Sequence, residues 1–140
     1  MGYTTDFYGE FLLDKNLTNK QTKTINDISQ ERHDSEFSYY DKRRPQPSIW
    51  CQWIIEQTRD GNDILVWDEG EKFYMYTEWL VYLIENYFNK WNIKLNGEIE
   101  WQGEDREDVG KIVIKDNTIK IYDCTYDWKE RQQQPKLVTI

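Results

Sequence analysis

Apolar and polar residues alternate along residues 3–13. Phe7, Phe11 and Leu13 fall on one side of an extended chain, and Asp6, Tyr8 and Glu10 fall on the other. A period of two marks a strand with one buried face. The pattern then changes. Leu17-Thr18 followed by Gln21 is a capping box with an apolar residue ahead of it, and it predicts a short helix to about Ser29 that buries Ile25 and Ile28. Residues 30–48 show no apolar period and contain Pro45 and Pro47, so they read as a loop of a length that tends to carry function.

Beyond that loop, residues 49–56 alternate again, Trp50 and Gln52 against Cys51 and Trp53. Asp60-Gly61-Asn62 marks a turn into a further strand at 63–67, which makes the pair a hairpin. Gly70 ends the hairpin, and residues 71–91 carry the strongest helical pattern. Phe73, Tyr76, Leu80, Leu83, Ile84, Tyr87 and Phe88 share one broad face; Glu71, Glu78, Glu85 and Asn89 share the opposite one. Strands follow at 94–102, 111–114 and 118–122, with Asp116-Asn117 as the tight turn between the last two. The predicted order is β-α-β-β-α-β-β-β. Runs of adjacent strands with two helices define an α+β class, a mostly antiparallel sheet with both helices on one face. Residues 1–128 form the single expected domain, and 129–140 a polar tail expected to fray.

Composition sharpens this picture. Apolar residues are only 38% of the 140, but aromatics are 16%, with seven Trp and ten Tyr. A few large rings supply the burial that aliphatics usually provide. The net charge of −8 argues against direct nucleic-acid binding and against docking on an anionic membrane. The first 13 residues contain no apolar run, so no signal peptide is expected, and Glu78 and Glu85 interrupt the most apolar stretch, so no membrane span is expected. Cys51 and Cys124 then read as free thiols in a reducing cytoplasm.

Several stretches carry a resemblance: Gly2-Tyr3-Thr4-Thr5-Asp6-Phe7-Tyr8-Gly9, Pro47-Ser48-Ile49-Trp50-Cys51-Gln52-Trp53, and Trp67-Asp68-Glu69-Gly70-Glu71-Lys72-Phe73-Tyr74. Two more are Glu78-Trp79-Leu80-Val81-Tyr82-Leu83-Ile84 and Leu95-Asn96-Gly97-Glu98-Ile99-Glu100-Trp101-Gln102-Gly103-Glu104-Asp105. Together they resemble a family of small, uncharacterised bacterial and phage proteins. The resemblance covers most of residues 3–121, with its specific part at 67–105. It implies no assigned activity and no catalytic residue to carry over. The chain departs from the family pattern at 32–47, where relatives often carry a longer insertion, and at Asn89-Lys90-Trp91-Asn92, where relatives more often have Pro-Trp-Gly. The phage context implied by the resemblance points to interference with a host process, such as sequestering a nucleotide signal.

The residues offer few catalytic constellations. His33 is the lone histidine, which excludes a multi-histidine zinc site within one chain. A Cys51–His33 nucleophilic pair is weakened by the position of Cys51 in a strand beside tryptophans, where a thiol behaves as a small apolar group. Glu104, Asp105 and Asp108 lie in an acidic turn flanked by Gly103 and Gly110, and they are the alternative ligands for a divalent cation. With Glu71, that turn defines the alternative of a metal-dependent hydrolase. A third reading, an acidic decoy of a nucleic-acid-binding protein, suffers because the 18 bases are interspersed with the 26 acids.

The favoured reading is a binding protein with no cofactor. Its partner is a small anionic, nucleotide-like ligand or a host protein, and self-association remains open. Tyr39, Tyr40, Arg43 and Arg44 join aromatic rings to guanidinium forks on the long loop, a pairing suited to phosphates and bases. Trp50, Trp53 and Trp101 are the candidate tryptophan face beside it. Replacing Arg43 and Arg44 together by Ala should leave stability within about 0.5 kcal/mol. In equilibrium dialysis it should abolish retention of a phosphate-bearing ligand; unchanged retention would reduce the loop to a connection.

Overall fold

The computed structural model describes residues 2–33, 47–127 and 132–138, with side chains as far as 123. β1 (Asp6–Leu13) keeps the alternation of the sequence: Phe7, Phe11 and Leu13 are buried, and Tyr8, Glu10 and Leu12 are exposed. It pairs antiparallel with β4 (Leu95–Gln102) along its whole length, from Asp6↔Gln102 to Leu13↔Leu95. Its pairing with β3 (Asp63–Trp67) is confined to Phe11↔Leu65 and Leu12↔Ile64. With β2 (Trp53–Gln57), β5 (Val109–Lys115), β6 (Thr118–Asp127) and β7 (Gln132–Val138) added, the seven-stranded sheet has the order β2-β3-β1-β4-β5-β6-β7.

Every neighbouring pair in the sheet is antiparallel. It follows that β1 and β2 run parallel with β3 between them, and β3 and β4 run parallel with β1 between them. The chain makes the first crossing through α1 (Asn19–Gln30) and the second through α2 (Tyr76–Leu83). Two split β-α-β units are thus interlocked, and a meander, β4 to β7, extends one edge. The buried residues of both helices join the inward residues of the strands in one core, including Ile25, Leu80, Leu83, Phe11, Leu65 and Ile99. The fold is α+β, as the patterning predicts.

Local chemistry explains each element. The capping box forms as read: Thr18 Oγ1 accepts the Gln21 N–H at 3.1 Å, and Gln21 Oε1 accepts the Thr18 N–H at 3.0 Å. On the next turns of α1, Asn26 reaches the free edge of β2. Its Oδ1 accepts the Ile55 N–H at 2.8 Å and its Nδ2 donates to the Ile55 carbonyl at 3.4 Å, so a side-chain amide occupies an edge that would otherwise offer itself to another strand. The Asp116-Asn117 turn has both residues left-handed, φ 46° and 67°, as a two-residue hairpin between right-twisting strands requires. Asn117 also ties the turn to the end of the helical segment, donating to the Ile93 carbonyl and accepting the Leu95 N–H at 2.6 Å.

Several boundaries differ from the sequence reading. The second helix begins at Tyr76 rather than at 71, because Lys72 (φ 58°) and Met75 (φ 55°) are left-handed and cannot belong to an α-helix. Phe73 is still buried, delivered by an irregular loop. The helix then widens into a π turn at Ile84–Phe88, where the Asn89 N–H reaches the Ile84 carbonyl five residues back at 2.9 Å. β2 starts at Trp53 rather than at 49. The segment expected to fray instead supplies β7, paired from Ile121↔Val138 to Asp127↔Gln132. Backbone hydrogen bonding supports that strand, and its sequence offers no apolar period to announce it.

Leu80 is fully buried in the core at the centre of α2. Leu80→Ala should therefore cost about 2–5 kcal/mol. Chemical denaturation would check this, and a loss near zero would show that α2 does not hold the sheet.

Candidate functional site

The tryptophan face divides in the structure. Trp53 is fully buried, its indole N–H donating to the Tyr76 carbonyl at 2.9 Å and its ring meeting Phe7 and Phe73 edge-on at 5.4 and 5.2 Å. Trp101 is buried too, donating to Asp108 Oδ1 at 2.9 Å. Both belong to the core rather than to a ligand face, because their strand positions point towards the helices. Trp50 precedes β2 and is 47% exposed. Tyr39, Tyr40, Arg43 and Arg44 lie outside the described residues.

The acidic turn is a staple. The second oxygen of Asp108 accepts the Tyr3 hydroxyl at 2.7 Å, so both of its carboxylate oxygens have protein donors. Glu104 accepts the Thr4 N–H at 3.1 Å, and the Asp105 N–H donates to the Tyr3 hydroxyl at 3.0 Å. Glu104, Asp105 and Asp108 thus fasten residues 3 and 4 beside β4. Among the described residues, no group of three or more His, Cys, Asp or Glu side chains is placed to hold a metal ion. The cation site offered as the alternative is not assembled.

The thiol–imidazole pair is not assembled either. Cys51 is buried against the core, its sulfur 3.9 Å from the Trp53 carbonyl, and burial pushes its thiol up to about 12. His33 is a strut: its Nε2 lies 2.9 Å from the Ile28 carbonyl, its backbone N–H donates to the Ile49 carbonyl at 2.7 Å, and its ring lies tilted at 54° to that of Trp79 with centroids 5.1 Å apart.

What the structure does assemble is a cavity of about 500 Å³ around Trp50, lined also by Pro47, Ser48, Ile49, Glu71, Lys72, Tyr74 and Met75. Three of the large hydrophobic side chains that stand exposed, Trp50, Tyr74 and Met75, are together here. Their loop is firmly held. Ser48 Oγ donates to the Tyr74 carbonyl at 3.2 Å and accepts the Trp79 indole N–H at 2.8 Å. Gln52 donates to the Glu71 carbonyl at 2.6 Å while accepting the Trp67 indole N–H at 3.0 Å. The Tyr74 hydroxyl accepts the Tyr3 N–H at 3.1 Å. A second cavity of about 290 Å³ shares Pro47 and Met75 and continues along α2 past Glu78, Val81 and Tyr82.

Sequence reasoning missed Lys72, Tyr74 and Met75 because it placed them in the first turns of a helix. The available signal was a negative one: no Ser, Thr, Asp or Asn stands at 70 or 71 to cap a helix starting there. Comparisons of the chain with family models, with curated proteins and with solved structures find no match.

A buried thiol held up to about 12 stays protonated at neutral pH, and the thiolate is the reactive form. Cys51 should therefore resist a thiol reagent in the folded protein; rapid labelling by mass spectrometry would restore the nucleophile. The linked effect on stability has a definite sign. The folded state retains a proton that the unfolded state, with an ordinary thiol value of 9.0, releases. Stability from this group is complete below pH 9 and should decline as pH rises towards 12.

Proposed function

We propose that the protein is a binding module rather than an enzyme, and that its site is the Trp50 cavity. The ligand is a small molecule with a planar ring and an anionic group, nucleotide-like in chemistry. Trp50 and Tyr74 offer ring surfaces for stacking, and Lys72 offers a cation at the same opening. The volume lies within the range typical of small-molecule sites. The basic run at 42–44 precedes the lining residue Pro47 in sequence, which favours an anion further. The observation that carries the reading is the gathering of Trp50, Tyr74 and Met75, exposed, around one cavity whose loop is pinned by Ser48 and Gln52. Sequestering such a ligand accords with the host interference implied by the resemblance.

A partner protein is the second reading, and the cavity along α2 favours it. The two hollows share Pro47 and Met75, and the second adds Val81 and Tyr82 of α2, so apolar surface continues from the Trp50 cavity along the helix.

Equilibrium dialysis against a panel of nucleoside mono-, di- and triphosphates tests the first reading. Trp50→Ala should weaken binding by about 5- to 150-fold, the effect of losing one stacking platform of about 1–3 kcal/mol, with the thermal midpoint unchanged. Lys72→Ala should weaken phosphate-bearing ligands more than free nucleosides. Wild-type affinity in Trp50→Ala would end the proposal for this cavity. Failure of all nucleotides, with capture of a protein abolished by Val81→Glu, would transfer the site to the partner reading.

A further inference from the structure

We propose that the sheet face turned away from the helices is a homodimer interface, on which a second copy of this chain packs about a two-fold axis running parallel to the strands between β4 and β5. Both helices bury their apolar sides in the core on the other face, and neither covers this one. Tyr8 and Leu12 stand on it 59% and 46% exposed.

The charge on this face is segregated. Its acids, Asp6, Glu10, Glu56, Glu98 and Glu100, stand on β1, β2 and β4; its bases, Lys111, Lys115 and Lys120, stand on β5 and β6. Among the described residues none of these charges has an ion-pair partner; the salt bridge there is Lys23–Asp27 on α1. Glu10 and Glu98 are direct cross-strand neighbours, an arrangement that destabilises an isolated sheet. A partner that brings cations to the acidic half removes that cost.

The register supplies the stronger argument. One row across the sheet reads Tyr8–Glu100–Lys111–Tyr122, and the next reads Glu10–Glu98–Val113–Lys120. A two-fold axis along the strands between β4 and β5 reverses each row onto itself. Tyr8 then faces Tyr122 of the second copy, Glu100 faces its Lys111, and Glu10 faces its Lys120; each contact occurs twice, as an isologous interface requires. Sheets stacked in this aligned way pack about 10 Å apart, within reach of lysine and tyrosine side chains from both sides. On the acidic half, a hollow of about 480 Å³ lies beside Tyr8, Glu10, Glu56, Ile64 and Val66, where β1 and β3 part company, and it offers room for the incoming lysine chains. A basic partner of another kind would use only the acidic half. The second copy uses both.

The test is a charge swap on the full chain, read by sedimentation velocity. The wild type should sediment at twice the 17.2 kDa chain mass and dissociate towards the monomer as salt rises, since exposed charge contacts are screened over about 8 Å at physiological ionic strength. Lys111→Glu with Lys120→Glu makes the facing charges of those rows acidic, and Glu10→Lys with Glu100→Lys makes them basic while Glu98 is unchanged. Each double variant alone should associate at least about tenfold more weakly, because like charges then meet across the axis. An equimolar mixture of the two should recover the dimer. All the substituted side chains are exposed or half-buried, and far-ultraviolet circular dichroism confirms that each variant is folded. A monomeric wild type, a double variant that stays fully dimeric, or folded variants that fail to recombine would each overturn the proposal.

Discussion

The close approach of β1 to β4 is the constraint on which the other contacts rest. Their register is unbroken from Asp6↔Gln102 to Leu13↔Leu95, and two glycines permit it. Gly9 adopts φ 118° and Gly97 φ 145°, conformations that side chains with a Cβ rarely take. A Cβ on Gly9 would come within 2.5 Å of the Glu98 carbonyl oxygen, and one on Gly97 within 2.6 Å of that of Glu10. Each glycine thus lets the opposite backbone in, one from each strand. Because β1 lies between β3 and β4 and β3 lies between β1 and β2, this central pairing fixes where both crossovers must land. It also sets apart the two faces, one that the helices cover and one that they do not.

The core on the helical face is aromatic in kind, and its polar edges are accounted for. Phe7 meets Trp53, Trp67, Phe73 and Tyr76 in edge-on contacts, with centroids between 4.9 and 5.9 Å. Rings of this size bring indole nitrogens and phenol oxygens into the interior, where an unmade hydrogen bond is costly. Trp53, Trp67, Trp79 and Trp101 each find an acceptor, respectively the Tyr76 carbonyl, Gln52, Ser48 and Asp108. Gln52, Ser48 and Asp108 lie in loops and Tyr76 opens α2, so the tryptophans fasten the loops and the start of that helix to the sheet while filling the core. Asp108 and Ser48, which look in the sequence like a metal ligand and a bland loop residue, acquire their roles in this way.

How much was legible follows from what each element depends on. β1, the capping box of α1, the strand at 63–67 and the Asp116-Asn117 turn depend on local pattern and turn chemistry, and the sequence announces them. The start of α2 depends on left-handed conformations at Lys72 and Met75, which side-chain pattern does not reveal because the apolar period runs on through them. β7 depends on backbone pairing to β6, for which a polar segment carries no signal. Among the candidate site residues, Trp50 kept its exposure while Trp53 and Trp101 did not. Strand alternation divides such a set into two faces, but it cannot say which face the helices will cover. Trp50 escaped that choice by lying just before the strand begins.

The two faces have different physical characters, and that difference bears on function. The helical side carries its exposed apolar surface in a pinned loop around one hollow, suited to recognising a discrete group by shape and stacking. The other side carries charge sorted by strand, a pattern that acts over a broad surface and weakens with salt. Both are compatible with one chain of net charge −8, because the bases of the sheet face, Lys111, Lys115 and Lys120, stand on β5 and β6, while Lys72 lines the hollow beside Glu71. A ligand in the hollow and a second copy on the sheet face, both as proposed, would not compete for the same residues. Substitutions in the hollow should then leave the assembly intact, and substitutions on the sheet face should leave the hollow intact, because the sheet and its buried core lie between them.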